Sequence, residues 1–335
     1  MTIGSIVYAT KSGLGILAKT LYDYNIINKV CIVEHNKFES KFEWYKKEDI
    51  ILSKDDLIND PDIDTILILE APLPNPFDWS IVEKAKNNNK RVVLIPMYES
   101  TPRSHLVFID KILCPSKLDL EFYEDYDSCT VEIPLNKQIQ WTERKQANVF
   151  IHNAGHGGIF SRNGTDEIIK SLKFIKTKNI EIIIRIQPDS DVELLNLIDK
   201  IDDPRVKIEK RQVPFSELWS YGDVFLFPEK FNGLSLPLQE AFASGMMVMA
   251  GDRFPINTWL PIDPLIPVSG YFKTHLSWIG ITINNAIIEP ENIAKHIDAF
   301  ANTDITSYSI AGKWYYEYMR DENRILNIYY KAIYG

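Results

Sequence analysis

The chain has 335 residues, 45% of them hydrophobic and 25% charged, and a formal net charge of −9 at pH 7. That length exceeds one ordinary core and points to two domains, while the acidic balance excludes broad, sequence-independent nucleic-acid binding, which needs a basic surface. No apolar run approaches the ~20 residues of a membrane-spanning helix, and three cysteines without paired spacing (Cys31, Cys114 and Cys129) fit reduced thiols in a cytoplasmic setting.

Along the first half, short apolar runs alternate with helical patterns. "IGSIVYAT" (3–10), "VCIVE" (30–34), "TILILEAP" (65–72) and "RVVLIPMYE" (91–99) read as strands, apolar on both faces, and "VFIDKILCPS" (107–116) as another strand, ending at a serine. "GILAKTLYDY" (15–24) and "WSIVEKAKNNN" (79–89) carry apolar residues at helical spacing. This alternation predicts right-handed crossovers and a parallel sheet covered on both sides, a Rossmann-like domain over residues 1–140.

The stretch 135–146 turns polar and loses its period, as a linker does. The alternation then restarts over 147–306, giving a second doubly wound α/β domain. Its strands are "ANVFIHNAG" (147–155), "IEIIIRIQP" (180–188), "VKIEKRQV" (206–213), "YGDVFLFPE" (221–229) and "MMVMAGD" (246–252). "TDEIIKSLKFIKTK" (165–178) is an amphipathic helix between the first two, and another helix starts near Val192. The tail 307–334 is one long helical pattern rich in aromatics, expected to pack back toward the first domain. Two such domains facing each other would enclose a central cleft at the carboxyl ends of both sheets, where open α/β folds bind ligands.

Chemistry concentrates in "EKFNGLSLPLQEAFASG" (229–245). Asn232-Gly233-Leu234-Ser235 forms a turn, Pro237 suits a first helical turn, and Gly245 suits a helix stop. Free backbone N–H groups from Gly233 to Leu236, backed by a positive helix end, would make an anion site for which phosphate is the usual tenant. Glu240, one turn inside, is placed to accept hydrogen bonds from a ribose diol. The competing description of the same residues is an ordinary capped helix with a solvated glutamate.

"NGLSLPLQEAFASGMMVMAGD" (232–252) resembles the donor-binding segment of retaining glycosyltransferases of the GT-B fold. Their pattern places one glutamate eight residues ahead of a second that opens "EAMAxGxPV". Glu240 holds the second position and Asn232 the first, so the spacing agrees and the first residue departs. The resemblance implies that the residue at 232 lies near the donor sugar and that Glu240 holds the ribose. "VFIHNAGHGGIFSRNGTDEIIKSL" (149–172) is similar to the strand, loop and helix that open the family's donor domain. It implies a diphosphate held by Arg162 and the Gly155-His156-Gly157-Gly158 loop, with Asn163 and Arg185 in the same donor-binding set. "RQVPFSELWSYGDVFLFPE" (211–229) looks like the segment whose backbone, here at Val213, meets the nucleobase. "YATKSGLGILAKTL" (8–21) resembles the acceptor domain's glycine loop, which implies an approach to the donor phosphates through Gly13 and Gly15.

The family reading makes the chain a transferase that moves a sugar from a nucleotide-diphosphate donor to an acceptor hydroxyl, with retention. Catalysis is expected from Arg162, Asn232 and Glu240, and the donor turn from Gly233, Leu234 and Ser235. Glu70 and Glu99, each ending a strand, are acceptor-side candidates for a base or for sugar hydroxyls. No cofactor and no metal are expected: Asp189-Ser190-Asp191 reads as a helix cap, and the histidines have no ligand spacing. Of these, His35, His105, His275 and His296 read as structural or exposed. The acceptor, a glycan, a lipid, a protein or a modified nucleic-acid base, is not legible in the sequence, nor is the oligomeric state. Alternatives are a catalytically silent GT-B domain, which Asn232 favours, and a GT-B epimerase or phosphorylase.

Overall fold

The computed structural model of the chain describes residues 1–36, 38–73, 78–103, 106–155, 161–188, 190, 192–258, 264–277 and 280–335. The chain divides into two compact units. One comprises Met1–Lys137, Ser277–Ile281 and Met319–Gly335, the other Gln138–Leu276 and Thr282–Tyr318.

The first unit is built on seven strands: β1 (Ile3–Tyr8), β2 (Lys29–Val33), β3 (Ile50–Ile51), β4 (Thr65–Leu69), β5 (Arg91–Ile95), β6 (Lys111–Cys114) and β7 (Ser128–Thr130). They form one parallel sheet in the order β3-β2-β1-β4-β5-β6-β7. Every residue of β1 and β4 is buried, as a sheet covered on both faces requires. The covering helices include α1 (Gly13–Asp23), α2 (Lys54–Asn59), α3 (Ser80–Asn87) and α4 (Lys117–Phe122). α2 and α4 leave no helical signal in the sequence, because six residues are too few to show a period. Each starts on a serine whose hydroxyl accepts a backbone N–H three residues on, Ser53 from Asp56 at 3.0 Å and Ser116 from Asp119 at 3.1 Å.

The second unit repeats the plan with β8 (Val149–Gly155), β9 (Glu181–Ile186), β10 (Val206–Lys210), β11 (Val224–Phe227), β12 (Met247–Gly251) and β13 (Leu265–Ile266). Their parallel order is β10-β9-β8-β11-β12-β13. Its helices are α5 (Thr165–Ser171), α6 (Val192–Ile198), α7 (Phe215–Leu218), α8 (Leu236–Ala243), α9 (Pro290–Phe300) and α10 (Thr306–Met319). A two-stranded sheet of β14 (Gly270–Leu276) and β15 (Ile281–Ile287), absent from the sequence reading, follows β13. The helix expected over 165–178 gives way after Phe174, because Arg205 draws three carbonyls toward its guanidinium: Leu172 at 2.8 Å, Ile175 at 2.9 Å and Thr177 at 3.0 Å.

Two further expectations change in detail. The polar stretch 135–146 has no regular structure, yet it is pinned: the Trp141 indole donates to Ser309 O at 2.9 Å and the Arg144 guanidinium to Trp219 O at 3.1 Å. The tail is two helices, α10 and α11 (Glu322–Tyr334), because the Asp321 carboxylate accepts the Arg324 N–H at 3.0 Å and starts a new helix. α11 lies on the first unit, where the Tyr334 hydroxyl donates to Asp64 at 2.7 Å.

α10 crosses α8 at Gly312, where a Cβ would stand 2.2 Å from the Phe242 carbonyl oxygen. Glycine to alanine inside an ordinary helix gains about 1 kcal/mol. Here Gly312→Ala is expected to lose roughly 1–3 kcal/mol through overpacking, read as a lower denaturant midpoint with an unchanged slope.

Candidate functional site

In both sheets the chain runs outward in one direction from a central strand and then returns to its other side. The reversals fall between β1 and β4 and between β8 and β11. Ligands of doubly wound folds bind at the carboxyl ends of the strands at such reversals.

At the first reversal, a cavity of about 210 Å³ is lined by Tyr8, Ser12, Leu14, His35, Glu70 and Leu73, together with Ala71. Ser12 caps α1, its hydroxyl accepting the Gly15 N–H at 3.1 Å. A Cβ on Gly15 would lie 2.2 Å from Thr10 O, so this glycine lets the helix start against the loop, whereas Gly13 has open space around it. Glu70 ends β4 in the left-handed region at φ 64°, rare for a residue with a side chain. Its N–H donates to Ile95 O at 2.8 Å and its carbonyl accepts the Thr101 hydroxyl at 2.7 Å. Glu99, the other candidate from this unit, is buried elsewhere, near Asp119. Asp119 takes the Tyr98 N–H at 3.0 Å, and burial, reinforced by Glu99, pushes its carboxyl up to about 7.

At the second reversal the loop after β11 and the start of α8 form a buried polar circuit. The Asn232 amide nitrogen donates to Glu229 Oε1 at 2.7 Å. Its oxygen accepts the N–H groups of Leu234 at 3.1 Å and Ser235 at 3.2 Å. Glu229 Oε2 accepts from the Ser235 hydroxyl and, at 2.7 Å, from Arg253 Nη2. Arg253 also donates through Nε to Glu229 O at 2.7 Å and through Nη1 to Asn232 O at 3.0 Å. Two of the N–H groups expected to be free for an anion are therefore bound by the chain's own amide. Ser235, at φ 46° and ψ 54°, begins α8 without capping it through its side chain. A left-handed serine is strained by about 1–3 kcal/mol, and this circuit holds it there.

Glu240 lies one turn further along α8, 7% exposed, with Oε2 accepting the Trp219 indole N–H at 3.2 Å. Burial pushes its carboxyl up to about 8, against the indole bond that favours the charged form. Arg162 lies beside the same turn: its guanidinium sits over the Phe231 ring, 5.8 Å from the centroid, and its carbonyl accepts the Lys230 N–H at 2.7 Å. Asn163 folds back, donating to Ala154 O at 2.9 Å. Arg185, expected among the donor-binding residues, turns to its own unit, donating to Glu209 at 2.9 Å and to Leu218 O at 2.7 Å. Val213 is half-buried between β10 and α7. Gly233 is buried inside the turn. His156 and Gly157, like Asp189 and Asp191, lie outside the described residues. Among the described residues no group of His, Cys, Asp and Glu side chains is arranged to hold a metal ion.

The structure thus brings Arg162, Asn232, Leu234, Ser235 and Glu240 around one turn in the second unit. Sequence reasoning missed Arg253 and Trp219 and gave Glu229 no role. No spacing along the chain marks the ion pair: Glu229 and Arg253 meet because β11 and β12 are parallel neighbours with Phe227 opposite Ala250, so both leave the sheet side by side.

No protein-family model matches the chain, and no curated protein matches its sequence. Solved structures do. A glycosyltransferase from Rickettsia africae superposes with a TM-score of 0.67 over 100% of this chain and 99% of its own, at 14% identity. Anabaena HepE, solved with UDP-glucose, gives 0.64 over 99% and 98%, at 11% identity. The UDP-N-acetylglucosamine 2-epimerase-like protein of Listeria monocytogenes gives 0.60 over 97% and 94%, at 12% identity. The fold is that of the GT-B glycosyltransferases, with two parallel-sheet Rossmann-like domains. No helix among the described residues is long and apolar enough to cross a membrane.

The folded chain holds a proton on Glu240 up to about pH 8, whereas the unfolded chain releases it near 4.5. Stability therefore falls as pH rises through that window, by at most roughly 1.4 kcal/mol per pH unit. Glu240→Gln keeps an acceptor for Trp219 and removes the titration. Its melting temperature is expected to match the native chain's at pH 4 and exceed it at pH 9, in parallel thermal melts.

Proposed function

We propose that the chain is a glycosyltransferase that takes its sugar from a nucleoside diphosphate. The observation that carries this reading is the likeness in fold over the whole chain to a glycosyltransferase structure and to a second structure that holds UDP-glucose. In this reading Glu240 receives the ribose diol. Arg162 meets the diphosphate and stabilises the charge that grows on it as the sugar leaves, an electrostatic role that requires no bound cation. The reaction proceeds with retention: the leaving phosphate oxygen accepts the acceptor's proton, so no protein base is needed on that face. The cavity at Glu70 and Ser12 supplies the acceptor side.

A second reading, a nucleotide-sugar epimerase, is favoured by the Listeria likeness. A panel of UDP-, GDP- and dTDP-sugars, assayed for nucleotide release and for epimerised sugar, separates the two. Release of nucleotide with a retained anomer supports the transferase; a new epimer without release supports the epimerase; neither product from any donor would remove both enzymatic readings. Transferase activity is expected to survive EDTA, and its loss on chelation with recovery on added manganese would contradict the metal-free reading.

Glu240 also supplies a pH signature. A ribose diol donates to a carboxylate, so UDP binding below pH 8 is expected to release a proton, and affinity rises by up to tenfold per pH unit until it levels near 8. Calorimetry at pH 7 in two buffers of different ionisation enthalpy reads that proton directly. Glu240→Gln abolishes the dependence and weakens UDP binding at pH 8.5 by about 1.5–3 kcal/mol, the worth of a hydrogen bond to a charged group.

A further inference from the structure

α10 presents two contrasting faces. Its inner face is fixed to its own unit: the Tyr315 hydroxyl donates to Gln239 at 2.9 Å, Gly312 lies against the Phe242 carbonyl, and Ser309 is fully buried. On the outer face Ile310, Trp314 and Tyr318 are 45%, 71% and 49% exposed. Spaced four residues apart, they form one ridge along the helix. Single exposed apolar residues are ordinary on a protein surface, but a ridge of three large ones marks a surface built to be covered. Beside the ridge run Lys313 and Glu317, both exposed, with Nζ 4.0 Å from Oε1.

We propose that this ridge is the contact face of a homodimer in which the α10 helices of two copies of the chain pack antiparallel. The order of side chains along the ridge selects that partner. A two-fold axis at the level of Tyr315 brings the two Trp314 rings together at the centre and lays Ile310 beside the partner's Tyr318, each within about 3 Å along the helix axis. The same axis sets Lys313 level with the partner's Glu317, twice over, so the charged flank is complementary to itself. A parallel pair would instead set lysine on lysine and glutamate on glutamate. A lipid surface fits less well, because Glu317 shares the outer face and the chain's net charge of −9 is repelled by an anionic bilayer. Five side chains per copy are far fewer than the roughly 20–30 a side of a stable interface, so the association is weak, with a Kd on the order of 10 µM. The dimer is independent of the nucleotide reading above.

Because the dimer fraction follows mass action, sedimentation velocity on the full chain from about 1 to 200 µM reads the association directly. The native chain is expected to pass from monomer to dimer across that range. Trp314→Glu changes a side chain that solvent already surrounds; it is expected to stay monomeric and, at the lowest concentration, to melt as the native chain does. Lys313→Glu and Glu317→Lys each set like charges against each other across the pair, and each alone is expected to associate at least ~10-fold more weakly. Mixed in equal amounts, these two variants are expected to associate more tightly than either alone, since one chain then presents two carboxylates and the other two ammonium groups. Single variants as tight as the native chain, or a mixture no tighter than either, overturn the antiparallel pairing. A native chain that is monomeric throughout, or a Trp314→Glu variant that still dimerises, overturns the ridge as the contact. A monomeric chain that floats with phosphatidylcholine–phosphatidylglycerol vesicles, and no longer does so as Trp314→Glu, would assign the ridge to a bilayer and equally overturn the dimer.

Discussion

A parallel sheet must be covered on both faces, because each connection between its strands crosses over one face and lays a helix there. That constraint organises both units. β4, β11 and β12 are buried along their whole length, and these residues have no surface left on which to carry function. Side chains with chemistry to perform are displaced to the strand ends, and the two reversals in strand order open room there. Ser12 and Glu70 mark the first reversal, Glu229 and Arg253 the strand ends near the second.

Inside the second unit the same crowding makes every buried charge answerable to a partner. Arg253 and Glu229, 3% and 2% exposed at their side chains, neutralise each other while tying the loop after β11 to the end of β12. Removing one member of such a pair would strand the other without solvent, which is why these contacts hold the backbone firmly. Arg185 and Arg144 act on the segment around α7 in a related way, gripping the carbonyls of Leu218 and of Trp219 and Ser220. Trp219 is thereby held with its indole directed at Glu240 and its ring edge-on to Phe225, centroids 5.1 Å apart. Glu240, with no cation acting on it among the described residues, keeps its proton instead. His152 shows the opposite case: fully buried between Leu226 O and the Thr165 hydroxyl, it is pushed down to about 4 and stays neutral as a bracket between β8, β11 and α5.

The strands were legible because their residues need no context: runs such as the four consecutive Ile and Leu residues 66–69 or the Val, Leu and Ile residues 92–95 can be satisfied only between two covered faces. Their sequence order, strand then helix, left a parallel sheet as the natural topology. The place of Glu240 one turn inside α8 was legible from the turn and the helix stop, whereas its burial was not. Six-residue helices such as α2 and α4 were not, since a serine cap and one buried pair give no period. The break between α10 and α11 was not either, since Asp321 acts as a cap only because the backbone there leaves the helix.

By itself, then, the sequence determined the two doubly wound domains and the place of the candidate turn, because hydrophobic period and turn chemistry are local properties of the chain. Tertiary structure alone decided what the turn's polar groups do. Arg253 lies twenty-four residues beyond Glu229 and reaches it only because β11 and β12 are neighbours in the sheet. That pairing turns Asn232 inward, gives its oxygen to Leu234 and Ser235, and leaves the carboxylate of the turn on Glu229. Hydrogen-bond direction depends on which groups meet at about 3 Å, and that distance is set by the register of strands and not by spacing along the chain.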